Sequence, residues 1–458
     1  MEHHLTTYIT HDTLISALGF GTQENLEAIR SYHSGITLQT DKRIADTPLL
    51  AATLSQERLQ QQAEAIGVSG YPRMEQLFIL TINELIRQSG QTLEDKTCGL
   101  ILSTTKGNID LLARHTEHPD EAVFLWKMAE NIAGYFHAEK RVHLISNACI
   151  SGVSALIAGK RMIENGIYRR VIVAGGDLLS HFITSGFGSF RSLSSRPCRP
   201  YDSSRDGLNL GEACGAVLLS TEKTPGSILL SGGAVSNDAN HISGPSRTGD
   251  GLYFAIRQAM QEAGTAPQDI SFVNAHGTAT LYNDEMESKA LTLAHLEQIP
   301  VHSLKPYFGH TLGASGIIES IVCMHELKQG ILFGTPGYET PGVPMPIPVY
   351  ATHRSIPMKH CVKTASGFGG CNAAIVLSLP EYTPFKDEDN TLPEIRCTRE
   401  VRIENSSVFI NNELIFHSEE PDFGTFIRET YKKTGGNNLK FYKMDDLCKL
   451  GYVAAEYL

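Results

Sequence analysis

The 458-residue chain has no basic stretch leading into an apolar core at its start, and no uncharged apolar run nears the roughly 18 residues a membrane span needs. Those absences point to a chain that works in the cytoplasm and spans no membrane. Excess basic charge is missing as well. The formal net charge of -11 argues against a nucleic-acid surface, although a local basic patch could still receive an acidic partner. Paired cysteine motifs are also lacking: the nine cysteines, at 98, 149, 198, 214, 323, 361, 371, 397 and 448, are odd in number and form no CxxC. They read as reduced thiols, with no disulfide framework and no zinc site.

What the chain does have is enough apolar sequence, 41%, for more than one core. Short apolar strand candidates, "TCGLILST", "RVHLIS", "RRVIVAGGD", "GAVLLS", "GSILLSGGAV", "ISFVNAHG" and "NAAIVLSLP", alternate with helix-like stretches. Several are apolar throughout, as strands covered on both faces by helices are. The pattern is α/β. "SGVSALIAGKRMIENG" places Val153, Leu156, Ile157 and Ile163 on a helical period ending near Gly166, and "GDGLYFAIRQAMQEAG" predicts a second helix. Glycine-rich stretches, "HFITSGFGSF", "NHISGPSRTGDG" and "TASGFGGCNAA", are expected to interrupt the elements where backbone approaches a ligand.

Three regions are expected. Residues 1–222 form a first half, residues 223–383 a second half, and residues 384–458 a charged linker followed by a tail. The boundary between the halves falls around "LSTEKTPGS". In the tail, "FYKMDDLCKLGYVAAEYL" parallels "GYPRMEQLFILTINELI", with Met444 matching Met74, Asp445 matching Glu75 and Leu447 matching Leu77. Either two amphipathic helices are alike by chance, or the tail opens a truncated second copy of the same fold.

Within "SNACISG", Cys149 falls between a strand candidate and a helix candidate. At such a corner a thiol gains exposure, helix-start N–H groups aimed at what it attacks, and a dipole that favours thiolate. Its small neighbours Ala148, Ser151 and Gly152 suit a strained nucleophile turn. A buried structural cysteine can occupy a corner too. Two histidine motifs add weight: "NAHGTAT" sets His276 at a strand end, and "SLKPYFGHTLGASG" sets Lys305 and His310 around a glycine turn. Cysteine, two histidines and a lysine in such settings point to acyl chemistry on a thiol.

Together "NACISG", "NAHGTATLYNDEME", "SLKPYFGHTLGASGIIES" and "ASGFGGCNAAIVL" resemble the β-ketoacyl-[acyl-carrier-protein] synthases of the elongating, decarboxylating kind, over about residues 8–383. The resemblance implies a thiolase-like five-layered αβαβα fold of two similar halves, with the active site where they meet. It implies that Cys149 carries the acyl chain as a thioester, that His276 and His310 bind the malonyl thioester carbonyl, that Lys305 tunes the field around them, and that Glu319 orders the polar cluster. Two imidazole donors would stabilise the enolate left by loss of carbon dioxide.

By the same resemblance Thr278 and Thr280 bind the phosphopantetheine arm, Asp284 and Glu287 form an acidic pair, and Phe368 gates acyl entry beside an oxyanion hole of backbone amides. No cofactor and no metal are implied. The partners implied are an acyl carrier protein, met by candidates Arg191, Arg196, Arg199 and Arg205, and a second subunit in a homodimer or in a heterodimer with a ketosynthase-like homologue. This sequence departs from the family in three places: Cys371 stands where a threonine is usual after "GFGG", Ile150 is bulky and would narrow the acyl pocket, and the opening "YITHDTLISALGFGT" makes a weak first strand.

Competing readings fare less well. A thiolase needs a second cysteine in a Cys-Gly-Gly-Gly setting, and the initiating ketosynthases need asparagine where His310 stands. A cysteine hydrolase has no use for the lysine motif. A non-catalytic ketosynthase-like partner subunit remains the alternative from a different class, and such subunits typically lack the nucleophile. The acyl chain itself, fatty or of polyene or polyketide type, is not written in these motifs, although "STTKGNIDLL" and the unorthodox opening strand lean toward a specialised pathway.

Overall fold

A computed structural model describes residues 5–112, 120–138, 142–238, 244–382, 397–419 and 422–458. The chain divides into two compact units, Met1–Phe385 and Lys386–Leu458. The charged stretch expected as a linker falls mostly outside the described residues, as does part of the "NHISGPSRTGDG" stretch.

The first unit is built on one sheet whose strands are β1 (Tyr8–Ser16), β2 (Cys98–Ser103), β3 (Val142–Ile145), β4 (Arg170–Asp177), β5 (Ala213–Ser220), β6 (Ile228–Asn237), β7 (Ile270–Asn274), β8 (Val301–His302), β9 (His360–Gly367) and β10 (Cys371–Ser378). Their spatial order is β8-β7-β9-β10-β6-β1-β5-β4-β2-β3. Read inward from either end, two parallel pairings are followed by two antiparallel ones. The two five-stranded halves thus repeat one another. They join through only two residue pairs, Tyr8 with Leu229 and Ile9 with Ile228.

Alternation along the strands sorts the core into layers, because successive side chains point to opposite faces. Val173 and Leu219 from the first half, with Cys361 and Ile375 from the second, share one core with Val153 and Leu156 of helix α2 (Ser151–Glu164) and Ile317 and Ile321 of helix α7 (Ser315–Gln329). Their neighbours Ile172 and Leu218 face the other way, onto Met74, Leu77 and Phe78 of α1 (Arg73–Ser89). In the second half Val362 and Val376 face Leu252 and Ile256 of α4 (Asp250–Ala263) and Met286 of α5 (Leu281–Leu293). Helix, sheet, helix, sheet, helix is the resulting order. α2 and α7 form the middle layer and are covered on both sides, so the buried residues of α7 run nearly all round it.

Two sequence expectations need correction. The weak opening strand is β1, paired along most of its length with β5 at the centre of the sheet. Backbone pairing on both sides outweighs its polar residues. "HFITSGFGSF" does not interrupt the fold but forms helix α3 (His181–Ser189). Burial of Ile183, Thr184 and Phe187 overrides the low helix propensity of Gly186 and Gly188.

The second unit is a three-stranded antiparallel meander, β11 (Val401–Glu404), β12 (Ser407–Ile410) and β13 (Glu413–His417), with helices α8 (Phe423–Lys433) and α9 (Asp446–Tyr457). Asn405-Ser406 and Asn411-Asn412 turn the hairpins with positive φ, as tight primed turns require. Val408, Phe416, Phe426, Ile427, Tyr431, Phe441 and Val453 make its core. The echo of α1 reaches a helix start in both places, but Leu77 is buried whereas Leu447 is exposed.

Candidate active site

Cys149 occupies the turn between β3 and α2. Ala148 before it adopts φ 44°, a left-handed conformation that an alanine takes only when its surroundings insist. The Ser151 hydroxyl clamps the turn, donating to Ala148 O at 2.6 Å and accepting the Asn147 N–H at 2.8 Å. Small residues are then needed beyond it. A Cβ at Gly152 would lie 2.8 Å from Gly313 O, and one at Gly316 would lie 2.4 Å from Val153 N. The starts of α2 and α7 therefore cross backbone against backbone. That crossing carries Cys149 and His310, 161 residues apart, to one point.

His310 Nε2 lies 3.0 Å from Cys149 Sγ, while its Nδ1 faces Ser315 Oγ at 3.2 Å. The backbone N–H of His310 donates to Asn209 O at 2.6 Å, which fixes the loop. His276 follows β7 and is held from behind, since Glu287 on α5 accepts the backbone N–H groups of His276 and Gly277, both at 2.7 Å. The two imidazole rings stand 5.1 Å apart and nearly perpendicular. Sγ of Cys149 and a ring nitrogen of each histidine all lie within 4.8 Å of one another. Nδ1 of His276 is buried without a hydrogen-bond partner among the described residues.

Glu319, one turn into α7, is buried between two lysines. Lys305 Nζ, from the short helix α6 (Lys305–Phe308), lies 2.5 Å from its Oε1, and Lys363 Nζ, from β9, lies 2.6 Å from its Oε2. Both ammoniums are fully buried. Burial pushes the Glu319 carboxyl up, but the two lysines outweigh it and hold it below the usual carboxylate range. Lys363 was not legible as a site residue: it lies just upstream of the glycine-rich run, and only a lone lysine within an otherwise apolar strand marks it.

The electrostatics correct one expectation. Burial pushes the Cys149 thiol up to about 11, although Lys106 and Lys305 pull the other way. The helix-start dipole is outweighed, and the resting sulfur is a thiol. Burial first, then Lys305 together with Lys363, holds both imidazoles well below the ordinary histidine range, with His310 acting further on His276 and Lys106 on His310. At neutral pH each ring is neutral and carries one N–H.

The remaining candidates divide. Thr278 is buried and its hydroxyl lies 2.9 Å from that of the half-buried Thr280, beside the His276 loop. Phe368 is partly exposed, and its ring packs 5.6 Å from Phe187 and 5.1 Å from Phe190 of the α3 end, making an aromatic rim. A Cβ at the preceding Gly367 would lie 3.1 Å from Cys149 N, so the glycine turn abuts the nucleophile. Asp284 accepts the Tyr201 N–H at 2.8 Å and lies 3.7 Å from Arg205 Nε, a buried structural arrangement. Ile150 is fully buried in the middle core, and Cys371, half-buried, opens β10.

Of the four candidate arginines only Arg191 is well exposed; Arg196 and Arg199 are half-buried beside Asp206 and Glu339. The Arg205 side chain is 2% exposed and donates to the carbonyls of Asp202 and Gly342, so it does not face a partner. The charged run "SSRDG" reads as surface, but Asp284 draws Arg205 inward.

Residues 22–224 match the family model "Beta-ketoacyl synthase, N-terminal domain", and residues 228–339 match "Beta-ketoacyl synthase, C-terminal domain". Among curated proteins, the chain is 32% identical over 251 residues to 3-oxoacyl-[acyl-carrier-protein] synthase 2 of Vibrio cholerae, covering 51% of this chain and 61% of the relative. It is 31% identical over 270 residues to a putative polyketide beta-ketoacyl synthase of Streptomyces cyaneus, covering 55% and 64%. These alignments span about 60% of the relatives' length. Among solved structures, a ketosynthase in complex with its chain length factor from Xenorhabdus doucetiae superposes with a TM-score of 0.70 at 25% identity, over 82% of this chain and 98% of that one.

Proposed function

The chain belongs to the β-ketoacyl synthase family, and from that premise we propose that it is a 3-oxoacyl-[acyl-carrier-protein] synthase, joining an acyl thioester on Cys149 to malonyl-carrier protein with loss of carbon dioxide. The observation that carries this reading is the Cys149–His310 contact at 3.0 Å with His276 facing the same point.

In the first half-reaction the Cys149 proton passes to His310 as sulfur attacks the acyl thioester carbon. The carrier's thiolate leaves and takes that proton back from the imidazolium. A thiol whose pKa burial has raised to about 11 needs this partner, because few molecules ionise unaided at pH 7. N–H groups at the Cys149 corner and the Phe368 turn, which abut at Gly367, would donate to the oxyanion of the tetrahedral intermediate.

In the second half-reaction malonyl-carrier protein replaces the spent carrier. The carbon–carboxylate bond breaks, carbon dioxide leaves, and the electron pair becomes an enolate whose oxygen accepts N–H donors from His276 and from His310, the latter in the tautomer that carries its proton on Nε2 while Nδ1 accepts from the Ser315 hydroxyl. Neutral imidazoles serve this better than imidazolium, since a preorganised donor need not be deprotonated or reorganised as charge develops. The enolate carbon attacks the Cys149 thioester, Cys149 sulfur leaves as thiolate and takes up one proton from solvent to restore the resting thiol, and a 3-oxoacyl-carrier product two carbons longer departs. The carbanion comes from decarboxylation, so the step calls for no cofactor or metal.

We place this chemistry in the cytoplasm, with reduced cysteines, and pair the chain with a phosphopantetheinylated acyl carrier protein and a second ketosynthase-like subunit, identical or homologous. The pairing of the Xenorhabdus doucetiae ketosynthase with a chain length factor supports the second partner. Among the described residues no helix is long and apolar enough to cross a membrane. The acyl chain is of fatty or polyene and polyketide type. The non-catalytic reading fits poorly, because a pocket-shaping subunit has no need of a nucleophile held against a histidine. Intact mass spectrometry after incubation with acyl-carrier protein tests the assignment: an acyl adduct lost in Cys149→Ala supports it, and an unmodified wild-type chain contradicts it.

A further inference from the structure

The two ammoniums on Glu319 pose a question of charge. One lysine and one carboxylate would make a neutral pair; Lys305 and Lys363 together on Glu319 leave one positive charge over, sealed from solvent beside both imidazoles. Within that trio nothing else cancels it. Burial pushes the nearby Glu326 carboxyl well up and the His302 imidazole down to about 3. Two carboxyls lie outside the trio: Glu287 stands behind His276 and accepts two backbone N–H groups, the Tyr201 hydroxyl, the Asn283 amide and the Thr364 hydroxyl, and Asp177 opposes Lys106 on the Cys149 side.

We propose that Lys363 is a positioning residue of the decarboxylation step: its ammonium, locked by Glu319 Oε2 at 2.6 Å and Thr364 O at 2.6 Å, gives the buried cluster the net charge that a developing enolate neutralises. This inference rests on the proposed condensing reaction. A buried net charge is costly in the resting protein, and that cost falls only when an anion forms at the two histidines. The site is thereby complementary to the reacting state and not to the resting one. The backbone supports this placement. β9 pairs with β7 on one side and β10 on the other, so the Lys363 backbone is fixed within the sheet that also carries Phe368 just beyond its end, and Glu319 and Thr364 hold the ammonium.

The groups that act on His276 and His310 are Lys305, Lys363, Lys106 and Cys149, with Glu319 between the two lysines, Glu287 on the His276 backbone N–H and Asp177 behind Cys149. Replacing Lys363 with methionine removes a positive charge that disfavours imidazolium. The imidazole pKa values then rise, and the acid limb of the decarboxylation profile moves to higher pH. Lys363→Met should slow carbon dioxide release from malonyl-carrier protein about 10- to 100-fold at neutral pH, less than the about 100- to 1000-fold loss of a direct oxyanion donor. The deficit should shrink as pH rises, with Cys149 acylation little changed.

Pairing Lys363→Met with Glu319→Gln leaves Lys305 as the single uncompensated charge, so the double variant should release carbon dioxide faster than Lys363→Met alone. Glu319→Gln alone keeps both lysines and should shift the imidazole titrations the opposite way, which secures the test if Lys363→Met fails to fold. Histidine titrations followed by NMR on isotope-labelled protein read the same charge without substrate. If the wild type releases no carbon dioxide, the condensing function fails while those titrations still decide the role of Lys363. A loss in Lys363→Met that is equal at every pH, a double variant slower than the single one, or imidazole titrations unmoved by either substitution would overturn the proposal.

Discussion

Cys149 Sγ and His310 Nε2 meet at 3.0 Å although each sits at the start of a different buried helix. The meeting is a packing consequence of Gly152 and Gly316, and the chemistry follows from it. A thiol that burial keeps protonated is given a neutral base, and a second neutral imidazole faces the same point.

The two histidines should separate the half-reactions. His276→Ala should lower carbon dioxide release about 100- to 1000-fold while leaving acyl transfer to Cys149 nearly intact, because it is His310 Nε2, at 3.0 Å, that lies within hydrogen-bond reach of Sγ. His310→Ala should lower both. Single-turnover acylation and decarboxylation assays on the two variants check this; equal effects on both steps from His276→Ala would count against it.

Thiol reactivity should report the buried environment. With the Cys149 pKa pushed up to about 11, alkylation by iodoacetamide should accelerate about tenfold per pH unit and level off only near that value. The same shift acts on stability. Burial likewise raises Cys198 and Cys214 to about 12, above the ordinary thiol value of 9.0. A group whose folded pKa is raised contributes stability present below its unfolded pKa and lost as pH climbs through the folded one. Urea denaturation should therefore show no loss from these thiols up to about pH 9 and a steady decline from there toward pH 11 to 12.

The helix crossing should be intolerant of a single methyl group. In Gly316→Ala the new Cβ would fall 2.4 Å from Val153 N, a backbone atom that can move only with α2. A cost of about 1–3 kcal/mol is expected from overpacking, read as a lowered thermal midpoint. Activity should drop further than stability, since any relief separates Cys149 from His310. An unchanged midpoint would mean the helices are not in this contact.

Arginines 191 and 205 should behave oppositely. Arg191→Glu should raise the KM for carrier protein and leave the thermal midpoint alone, because the side chain is exposed. Arg205→Ala should destabilise the fold by about 3–5 kcal/mol, the usual result of stranding a buried partner, here Asp284. Thermal melts beside carrier-protein titrations distinguish the two.

Much of this was legible in the sequence for physical reasons. All-apolar strands such as "VIVAGG" announce a sheet covered on both faces; Cys149, His276 and His310 each lie next to glycine or alanine where backbone turns sharply, and Lys305 precedes His310 across the same glycine turn. What was hidden depends on distant partners. β1 carries His11 and Asp12, which obscure a strand that only its pairing with β5 makes central. α3 contains two glycines, and its helical state comes from burying Phe187. Lys363 gives no local signal of its partner, since Glu319 is 44 positions earlier and approaches from another layer. Thiolate character at Cys149 was inferred from the helix start alone, and burial, which no local pattern encodes, reversed it.

The central claim is that one chain both decarboxylates and condenses at the Cys149–His276–His310 point. The direct measurement supplies purified protein, acyl-carrier protein and malonyl-carrier protein labelled at its free carboxylate and, separately, at its methylene carbon. Equal yields of labelled carbon dioxide and of methylene-labelled 3-oxoacyl product, both lost in Cys149→Ser, are the predicted outcome. Labelled product that keeps its carboxylate, or no product from a folded chain with competent carriers, would contradict it.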